Sequence, residues 1–190
     1  MSVHERRQRE RAERERLIVT AARELAEAEG WDAVTTRRLA ERVEYSQPVL
    51  YGHFANMDAI RAAVAMEGFA ELADRLRAAR AGADGPGRAL AAVAQAYCAF
   101  AEQRPALYDV MFSQSVSLAF AVPQTPAPMR AGFDELRHVV QPVAGTQDAG
   151  LLTEVLWSAL HGLVTLTRSG RLPPAAHAQR LSLLVGRFTG

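Results

Sequence analysis

The side chains best suited to binding a partner lie in the stretch 47–54, which reads Gln-Pro-Val-Leu-Tyr-Gly-His-Phe. Helical spacing across this stretch buries Leu50 and Phe54 on one side. The side chains left to meet a partner are those of Gln47, Val49, Tyr51 and His53. A short helix with polar, aromatic and small apolar side chains near its N-terminus suits the major groove of duplex DNA. The stretch therefore predicts a helix that reads DNA.

A second short helix is predicted immediately before this one. Leu39, Ala40 and Val43 recur at helical spacing, and they predict its buried face. Thr36 stands where an N-cap residue is expected, and Ser46 is expected to cap the DNA-reading helix. A turn of three residues separates the two helices. Two short helices joined by such a turn form a helix-turn-helix.

These helices resemble the DNA-binding domain of the TetR family of bacterial repressors, through the sequences Thr-Thr-Arg-Arg-Leu-Ala and Gln-Pro-Val-Leu-Tyr-Gly-His-Phe. The resemblance implies that Arg37 contacts a guanine and that Gln47 reads an adenine. It also implies that Pro48 and Val49 press on thymine methyl groups, and each chemical group matches the base assigned to it. The full set implied to contact DNA is Thr36, Arg37, Ser46, Gln47, Pro48, Val49, Tyr51 and His53.

Contacts with the phosphate backbone are expected from two places. The resemblance assigns them to Thr36, Tyr51 and His53, although Tyr51 and His53 could instead flank the core of the domain. The segment 1–16 alternates Arg with Glu at spacings suited to helical ion pairs, such as Glu5 with Arg9. This arm is either a solvated extension of the first helix or a phosphate-binding element with salt-dependent affinity.

The sequence departs from the family pattern at three positions. Glu44 stands in the turn where Gly is usual, and a left-handed backbone there costs a residue with a side chain about 1 kcal/mol. Gly52 replaces a common aromatic residue, and Met57 stands where a Lys commonly binds phosphate. These departures bear on the operator sequence and the affinity for it.

Composition restricts the class of protein further. The 190 residues carry a net charge of only +1, so any binding of nucleic acid must depend on a local cluster of basic residues. Every basic residue other than His is Arg. Cys98 is the single cysteine, which excludes an internal disulfide and fits a reducing cytosol. We expect a soluble cytoplasmic protein, because no signal peptide opens the chain and no apolar run approaches membrane-spanning length.

Helical patterns continue along the whole chain, and no segment reads as a strand, so the predicted fold class is all-α. A first helix with an apolar face from Leu17 to Ala28 ends at Gly30, and it completes a three-helix domain at residues 1–56. A long helix from Met57 to Arg80 joins this domain to a helical effector-binding and dimerisation domain at residues 57–190. In TetR-like repressors the connecting helix transmits ligand binding to the DNA reader.

Two apolar helices near the C-terminus suit self-association. The first, in residues 148–169, repeats apolar residues at alternating steps of four and three, the spacing of a helix-packing seam. TetR-like dimers use two such helices for an intermolecular four-helix bundle, and the alternative is an ordinary monomer core. The residues expected at the dimer interface are Leu152, Leu156, Ala159, Leu163, Leu166, Leu181, Leu184, Val185 and Phe188.

The second half also resembles the effector domain of a TetR subgroup named for its Trp…His-Gly motif, through Trp157-Ser-Ala-Leu-His161-Gly162 and the segment 104–112. Such domains are taken to bind small organic effectors in largely apolar pockets. The expected lining is Tyr97, Phe100, Tyr108, Met111, Phe112, Trp157 and His161. The alternative for each of these side chains is that it belongs only to the hydrophobic core, and for His161 that it is a hydrogen-bonded structural histidine. No cofactor or metal is expected.

No arrangement of histidine, cysteine, serine or acidic residues has the spacing of a catalytic site. The sequence therefore predicts a non-enzymatic regulator, most simply a repressor that binds a near-palindromic operator as a homodimer and is released by an effector. Two alternatives stay open at this point: a helical sensor or scaffold that has lost DNA binding, and a small helical enzyme. The operator, the effector, the regulated genes and the sign of regulation are not fixed by the sequence.

Overall fold

The computed structural model describes residues 2–112 and 122–190, and every regular element in these residues is helical, which confirms the all-α class. The helices in chain order are α1 (Val3–Glu29), α2 (Thr36–Arg42), α3 (Gln47–His53), α4 (Met57–Ala81), α5 (Pro86–Gln103), α6 (Pro105–Met111), α7 (Ala127–Val140), α8 (Ala149–Arg168) and α9 (His177–Thr189). Short 3-10 turns follow α1 and α7 and precede α9. Val116, expected on the helix after residue 104, lies outside the described residues.

The chain divides into two compact units. The first combines Met1–Gly68 with the segment that begins at Arg104, and the second combines Phe69–Gln103 with the C-terminal part of the chain. Helix α4 therefore contributes residues to both units, and α6 belongs to the first. The functional division after residue 56 stays a prediction.

In the first unit, α2 and α3 pack against α1 and against each other. Ile18, Ala22 and Leu25 are almost completely buried, as expected from their spacing. Leu17 and Ala28 are predicted on the same face and are exposed, because both lie just past one edge of the buried stripe. The buried residues beside the stripe are Val19, Ala21 and Ala26.

The Arg/Glu-rich segment is helical from Val3 onward. The Ser2 hydroxyl accepts the Glu5 backbone N–H, and the Glu5 carboxylate accepts the Ser2 N–H at 2.7 Å, which closes a capping box. Because Glu5 is held by the cap, the expected pair with Arg9 is wrong. The ion pairs join Arg6 with Glu10 and Arg11 with Glu15 instead.

In the second unit, α5 runs through the core beside α7, α8 and α9. Its buried residues are Leu90, Val93, Ala94, Tyr97, Cys98, Phe100 and Ala101. Glu135 of α7 is 5 % exposed and accepts bonds from Nε of Arg77 and Nε of Arg80, at 3.1 and 2.9 Å. Both arginines lie on the C-terminal half of α4, so this buried carboxylate holds α4 and α7 together. Buried charges require such partners.

Helices α8 and α9 keep part of their apolar surface outside the core. Within the single chain Leu156 is fully buried and Leu181 is 7 % exposed, so both support their helices from the inner side. The apolar residues that are most exposed on these helices are Leu151, Val155, Leu166 and Leu183. By length and composition α8 is also the one helix of the described residues that could cross a membrane. That is weak support for a membrane segment, because core helices of soluble proteins share this composition.

Two glycines inside helices have opposite surroundings. A Cβ atom at Gly68 of α4 would lie 2.6 Å from Sδ of Met111 and 2.9 Å from Cδ1 of Leu107, so α6 packs directly on the α4 backbone. A Cβ atom at Gly52 of α3 would have no atom of the described chain within 4 Å. Gly68 is therefore required by packing, whereas Gly52 is not required by any contact within the described residues.

We predict opposite stability effects for the two Gly→Ala substitutions. Gly52→Ala should raise the free energy of unfolding by about 0.5–1 kcal/mol, because alanine has less backbone entropy to lose. Gly68→Ala gains the same term but must displace the buried Met111, and overpacking of this kind costs about 1–3 kcal/mol. Urea unfolding of both variants measures the difference. Equal stabilisation by both substitutions would contradict the packing of α6 on α4.

Candidate DNA-binding site

Helix α2 is capped by Thr35. The Thr35 hydroxyl accepts the backbone N–H of Arg38 at 3.3 Å, and the Thr35 backbone is extended as an N-cap requires. Thr36, expected to be the cap, is the first residue of the helix. Both threonines are chemically suited to capping, so only the backbone conformation distinguishes them. As a result the Thr36 side chain is available for another contact.

The turn after α2 is a Schellman motif. The Tyr45 N–H donates to the Ala40 carbonyl at 2.9 Å, and the Glu44 N–H donates to the Glu41 carbonyl at 3.4 Å. Glu44 has a φ of +57°, in the left-handed region that usually favours glycine. The turn therefore keeps the left-handed conformation although Glu44 replaces the usual Gly, at the conformational cost of a residue with a side chain.

Helix α3 begins after Ser46, whose backbone is extended, although its side chain makes no capping bond. Leu50 is 1 % exposed and is the residue by which α3 is anchored to the core. Tyr51 is 52 % exposed and Val49 is 41 % exposed. The remaining exposed residues of the expected reading surface are Ser46, Gln47 and Pro48. One side of the helix therefore faces solvent with an amide, two apolar side chains and a phenol.

The hydroxyls of Thr36 and Tyr51 are hydrogen bonded at 3.2 Å. This bond joins the first residue of α2 to the outer side of α3. Whichever hydroxyl donates in this bond uses its one O–H, so the other hydroxyl keeps an O–H that can donate to a further acceptor. The pair is therefore positioned at the surface and can still bind a phosphate oxygen.

Arg37 and Glu41 form an ion pair on the surface of α2, with Nε of Arg37 2.9 Å from the Glu41 carboxylate. The side chains are 80 % and 62 % exposed. The hydrogen bond to Glu41 raises the pKa of the Arg37 guanidinium. Arg37 is accordingly exposed enough to reach a base, but a contact with guanine has to compete with Glu41.

The side chain of His53 is only 10 % exposed and lies toward α1, with Nδ1 3.6 Å from the Glu15 carboxylate. Glu15 is held by Arg11, which also donates to the Gly52 carbonyl at 3.4 Å. This geometry differs from the exposed imidazole expected for a phosphate contact. Instead the cluster joins the Arg/Glu-rich part of α1 to the C-terminal end of α3.

The other arginines of α2 hold it to α1. Arg38 donates two bonds to the Glu29 carboxylate, at 2.8 and 2.6 Å, and Arg42 donates to Glu24 at 2.9 Å. The bidentate contact lowers the pKa of Glu29. Exposed pairs of this type add little stability individually. Together they fix the position of α2, so that Arg37 remains the arginine of this helix without a bond to α1.

A contact that sequence reasoning missed joins α1 to α6 within the first unit. The Glu27 carboxylate accepts the backbone N–H groups of Ala106 and Leu107, at 3.2 and 3.0 Å. The Trp31 indole N–H donates to the Ala106 carbonyl at 2.7 Å. Glu27 thus takes the place of a cap at the start of α6, where helix N–H groups lack partners. The guanidinium of Arg61 lies 6.0 Å from the Trp31 ring centroid.

The residues expected to line an effector pocket are divided between the units. Tyr108, Met111 and Phe112 belong to the first, where the Tyr108 and Phe112 rings lie 4.8 Å apart. In the second unit, the indole N–H of Trp157 donates to the Tyr97 hydroxyl at 3.2 Å.

The other two expected pocket residues, Phe100 and His161, also lie in the second unit. The Arg75 guanidinium lies 5.3 Å from the centroid of the buried Phe100 ring. His161 lies one helical turn from Trp157, and its burial lowers its pKa. That all seven residues line one effector pocket stays a prediction.

The fold and the exposed side of α3 define a helix-turn-helix DNA-binding protein. Residues 18–64 match the family model described as bacterial regulatory proteins of the tetR family, and residues 90–188 match the tetracyclin repressor-like C-terminal domain. The chain belongs to the TetR family of transcriptional regulators, which are not enzymes. Members of this family bind operator DNA and small-molecule effectors, typically as dimers.

Individual relatives agree with this assignment. The HTH-type transcriptional regulator YobS of Bacillus subtilis is 33% identical over 95 residues, which cover 50% of this chain and 49% of YobS. The class G tetracycline repressor of Vibrio anguillarum is 46% identical over 43 residues, 23% of this chain and 20% of that repressor. A solved structure from Rhodococcus sp. RHA1 has a TM-score of 0.77 and 26% identity and covers 92% of both chains. The chain thus matches about half the length of YobS.

We predict that Glu27→Gln destabilises the first unit. The substitution removes the negative charge that accepts two N–H groups, and a hydrogen bond to a charged group contributes about 1.5–3 kcal/mol. Urea unfolding measures the loss. Glu24→Gln on the same helix is the matched control, because it removes only an exposed pair with Arg42 and should cost about 0–1 kcal/mol. Equal losses for the two variants would mean that Glu27 does not hold α6.

Proposed function

We propose that the protein is a ligand-responsive repressor that binds a near-palindromic operator as a homodimer. The observation that carries this proposal is the exposed side of α3, where Gln47, Pro48, Val49 and Tyr51 face solvent while Leu50 holds the helix in place. An amide and apolar side chains on a helix of this kind match adenine and thymine in the major groove. Residues 1–56 would bind DNA, and residues 57–190 would bind the effector and the second copy.

The contact with DNA in this proposal combines contacts to bases with contacts to phosphates. Arg37, released from Glu41, pairs with guanine, and Gln47 reads adenine. Thr36 and Tyr51 bind phosphate through their surface hydroxyls. His53 has a supporting role, because its side chain lies toward α1. The exposed arginines of α1 add phosphate contacts that weaken as the salt concentration rises.

The homodimer in this proposal forms through α8 and α9. Leu151, Val155 and Leu183 are 58–69 % exposed, which is a high exposure for large apolar residues on helices that also contribute to the core. A Cβ atom at Gly162 or at Gly186 would meet no atom of the described chain within 4 Å. These two helices therefore offer both apolar surface and room for a second copy. Of the residues expected from the sequence, the partly exposed ones are Leu152, Ala159, Leu163, Leu166, Leu184, Val185 and Phe188.

The effector in this proposal is a small organic molecule bound among aromatic residues of the Trp…His-Gly type of domain. The hydrogen bond between Trp157 and Tyr97 and the half-buried His161 support a largely apolar pocket with a few polar groups. Binding would shift α4 and change the separation of the two α3 helices. Coupling of this kind typically amounts to about 1–3 kcal/mol. The protein would act in the cytoplasm, where operator DNA is found.

Selection of bound DNA from a random pool, at a stated salt concentration, tests this proposal. Enrichment of an inverted repeat would identify the half-site and require two readers. Failure to enrich any sequence, with a folded dimer, would favour a sensor that has lost DNA binding. An enriched sequence without two-fold symmetry would contradict the homodimeric arrangement.

We predict that Arg37→Ala weakens binding to the selected operator by about 1–3 kcal/mol and relaxes the preference at one base pair. The reason is the loss of a guanidinium that pairs with guanine. Fluorescence anisotropy on the operator and on single-base variants measures both effects. Arg42→Ala is the matched control, because its guanidinium is bound to Glu24. Equal losses by Arg37→Ala on operator and random DNA would show that Arg37 contacts only phosphate.

A further inference from the structure

Gly52 is a residue of α3 whose lack of a side chain is not required by the fold. It lies within the regular helix Gln47–His53, and it is not among the glycines with positive φ. A Cβ atom at this position would meet no atom of the described chain within 4 Å. After proline, glycine is the least favourable residue in a helix. Neither the backbone conformation nor packing within the described residues therefore accounts for the glycine.

The missing side chain would point outward from α3. At about 100° per residue, Gly52 lies on the opposite side of the helix from Leu50, which is 1 % exposed and anchors the helix. Pro48, four residues earlier, lies on the same outward side, and both residues are exposed. The side chains of Val49 and Tyr51 lie on the two flanks. The outward surface of α3 is therefore lowest at Gly52, between side chains proposed to contact DNA.

A positive charge is held beside Gly52. Arg11 of α1 donates to the Gly52 carbonyl at 3.4 Å and to the Glu15 carboxylate at 2.8 Å, and its side chain is still 58 % exposed. A guanidinium in this position attracts phosphate. The neighbouring residue in the chain, Tyr51, is itself proposed to bind phosphate.

The position of Gly52 along α3 also favours phosphate over a base. A recognition helix contacts base edges mainly through residues near its N-terminus. Gly52 is the sixth of the seven residues of α3, so it lies beyond Gln47, Pro48 and Val49. The partner that these features favour at Gly52 is a sugar–phosphate strand at the edge of the major groove.

We propose that Gly52 is a specificity-determining residue, at which the main chain of α3 lies directly against a sugar–phosphate strand. Without a Cβ atom at this point, the helix can enter the groove deeply enough for Gln47 and Val49 to reach the bases. A side chain at residue 52 holds the helix away and breaks these base contacts. Binding to random DNA does not need this depth, because it depends on the charge of the phosphates. The inference rests on the proposed reading of DNA by α3.

Gly52→Ala in the full chain tests the inference on the operator selected from the random pool. Fluorescence anisotropy should show an operator affinity lower by about fivefold or more, the effect of one overpacked contact. The affinity for random DNA should change by less than about twofold, because the phosphate contacts remain. Urea unfolding should show a variant at least as stable as the wild type, because alanine is favoured in a helix. Gly52→Leu, with a larger side chain, should lower the operator affinity further.

Gly132→Ala is the matched control. Gly132 lies in α7 of the second unit, and a Cβ atom there also meets no atom of the described chain within 4 Å. This substitution should leave the operator affinity unchanged, because residue 132 is outside the helix-turn-helix.

Three outcomes would overturn the role of Gly52 while operator binding by the wild type stands. The first is a stable Gly52→Ala variant that binds the operator as tightly as the wild type. The second is an equal loss of affinity for operator and random DNA. The third is a Gly52→Ala variant less stable than the wild type, which would assign the glycine to the fold. A wild-type chain that enriches no DNA would instead contradict the proposed function, and this inference with it.

Discussion

The burial of Leu50 is the interaction on which the DNA-binding site depends. Helix α3 has seven residues, and an isolated helix of that length is not stable in water. It persists because Leu50 packs into the core against α1 and α2, and because the Schellman turn fixes the direction in which it leaves α2. With Leu50 fixed inward, helical geometry places Pro48 on the opposite side and Val49 and Tyr51 on the flanks of the helix. Gln47 is exposed as the first residue of α3. The same contact that folds the helix therefore selects the side that can meet DNA.

Electrostatic contacts refine this arrangement. Two of the three arginines of α2 are bound to carboxylates of α1, whereas Arg37 is bound to Glu41 of its own helix. At the other end of α3, Arg11 and Glu15 of α1 surround Gly52 and His53. The long first helix thus supports the reading helix at its C-terminal end. Glu27 extends the role of α1 further, because it holds the start of α6.

Local patterns were enough to predict the helices and the helix-turn-helix. These features depend on residues a few positions apart. The capping of α6 by Glu27 could not be predicted, because it depends on residues distant in sequence. The inward direction of His53, three residues after Leu50, agrees with the alternative that His53 flanks the core. Thr35 and Thr36 are equally suited to capping, so the error of one residue there has a local cause. The prediction of an ion pair between Glu5 and Arg9 was wrong, because the Glu5 carboxylate instead accepts the Ser2 N–H at the helix cap.

The claim that two copies of α3 read one duplex is tested most directly by methylation interference at guanine N7 on the selected operator. Guanine N7 lies in the major groove, so interference reports contacts on that side. The structure and the family lead us to expect two symmetric patches on one side of the duplex, their centres separated by about 10–10.5 base pairs or a multiple of this spacing. A single patch, or binding that is insensitive to N7 methylation throughout the operator, would contradict the account.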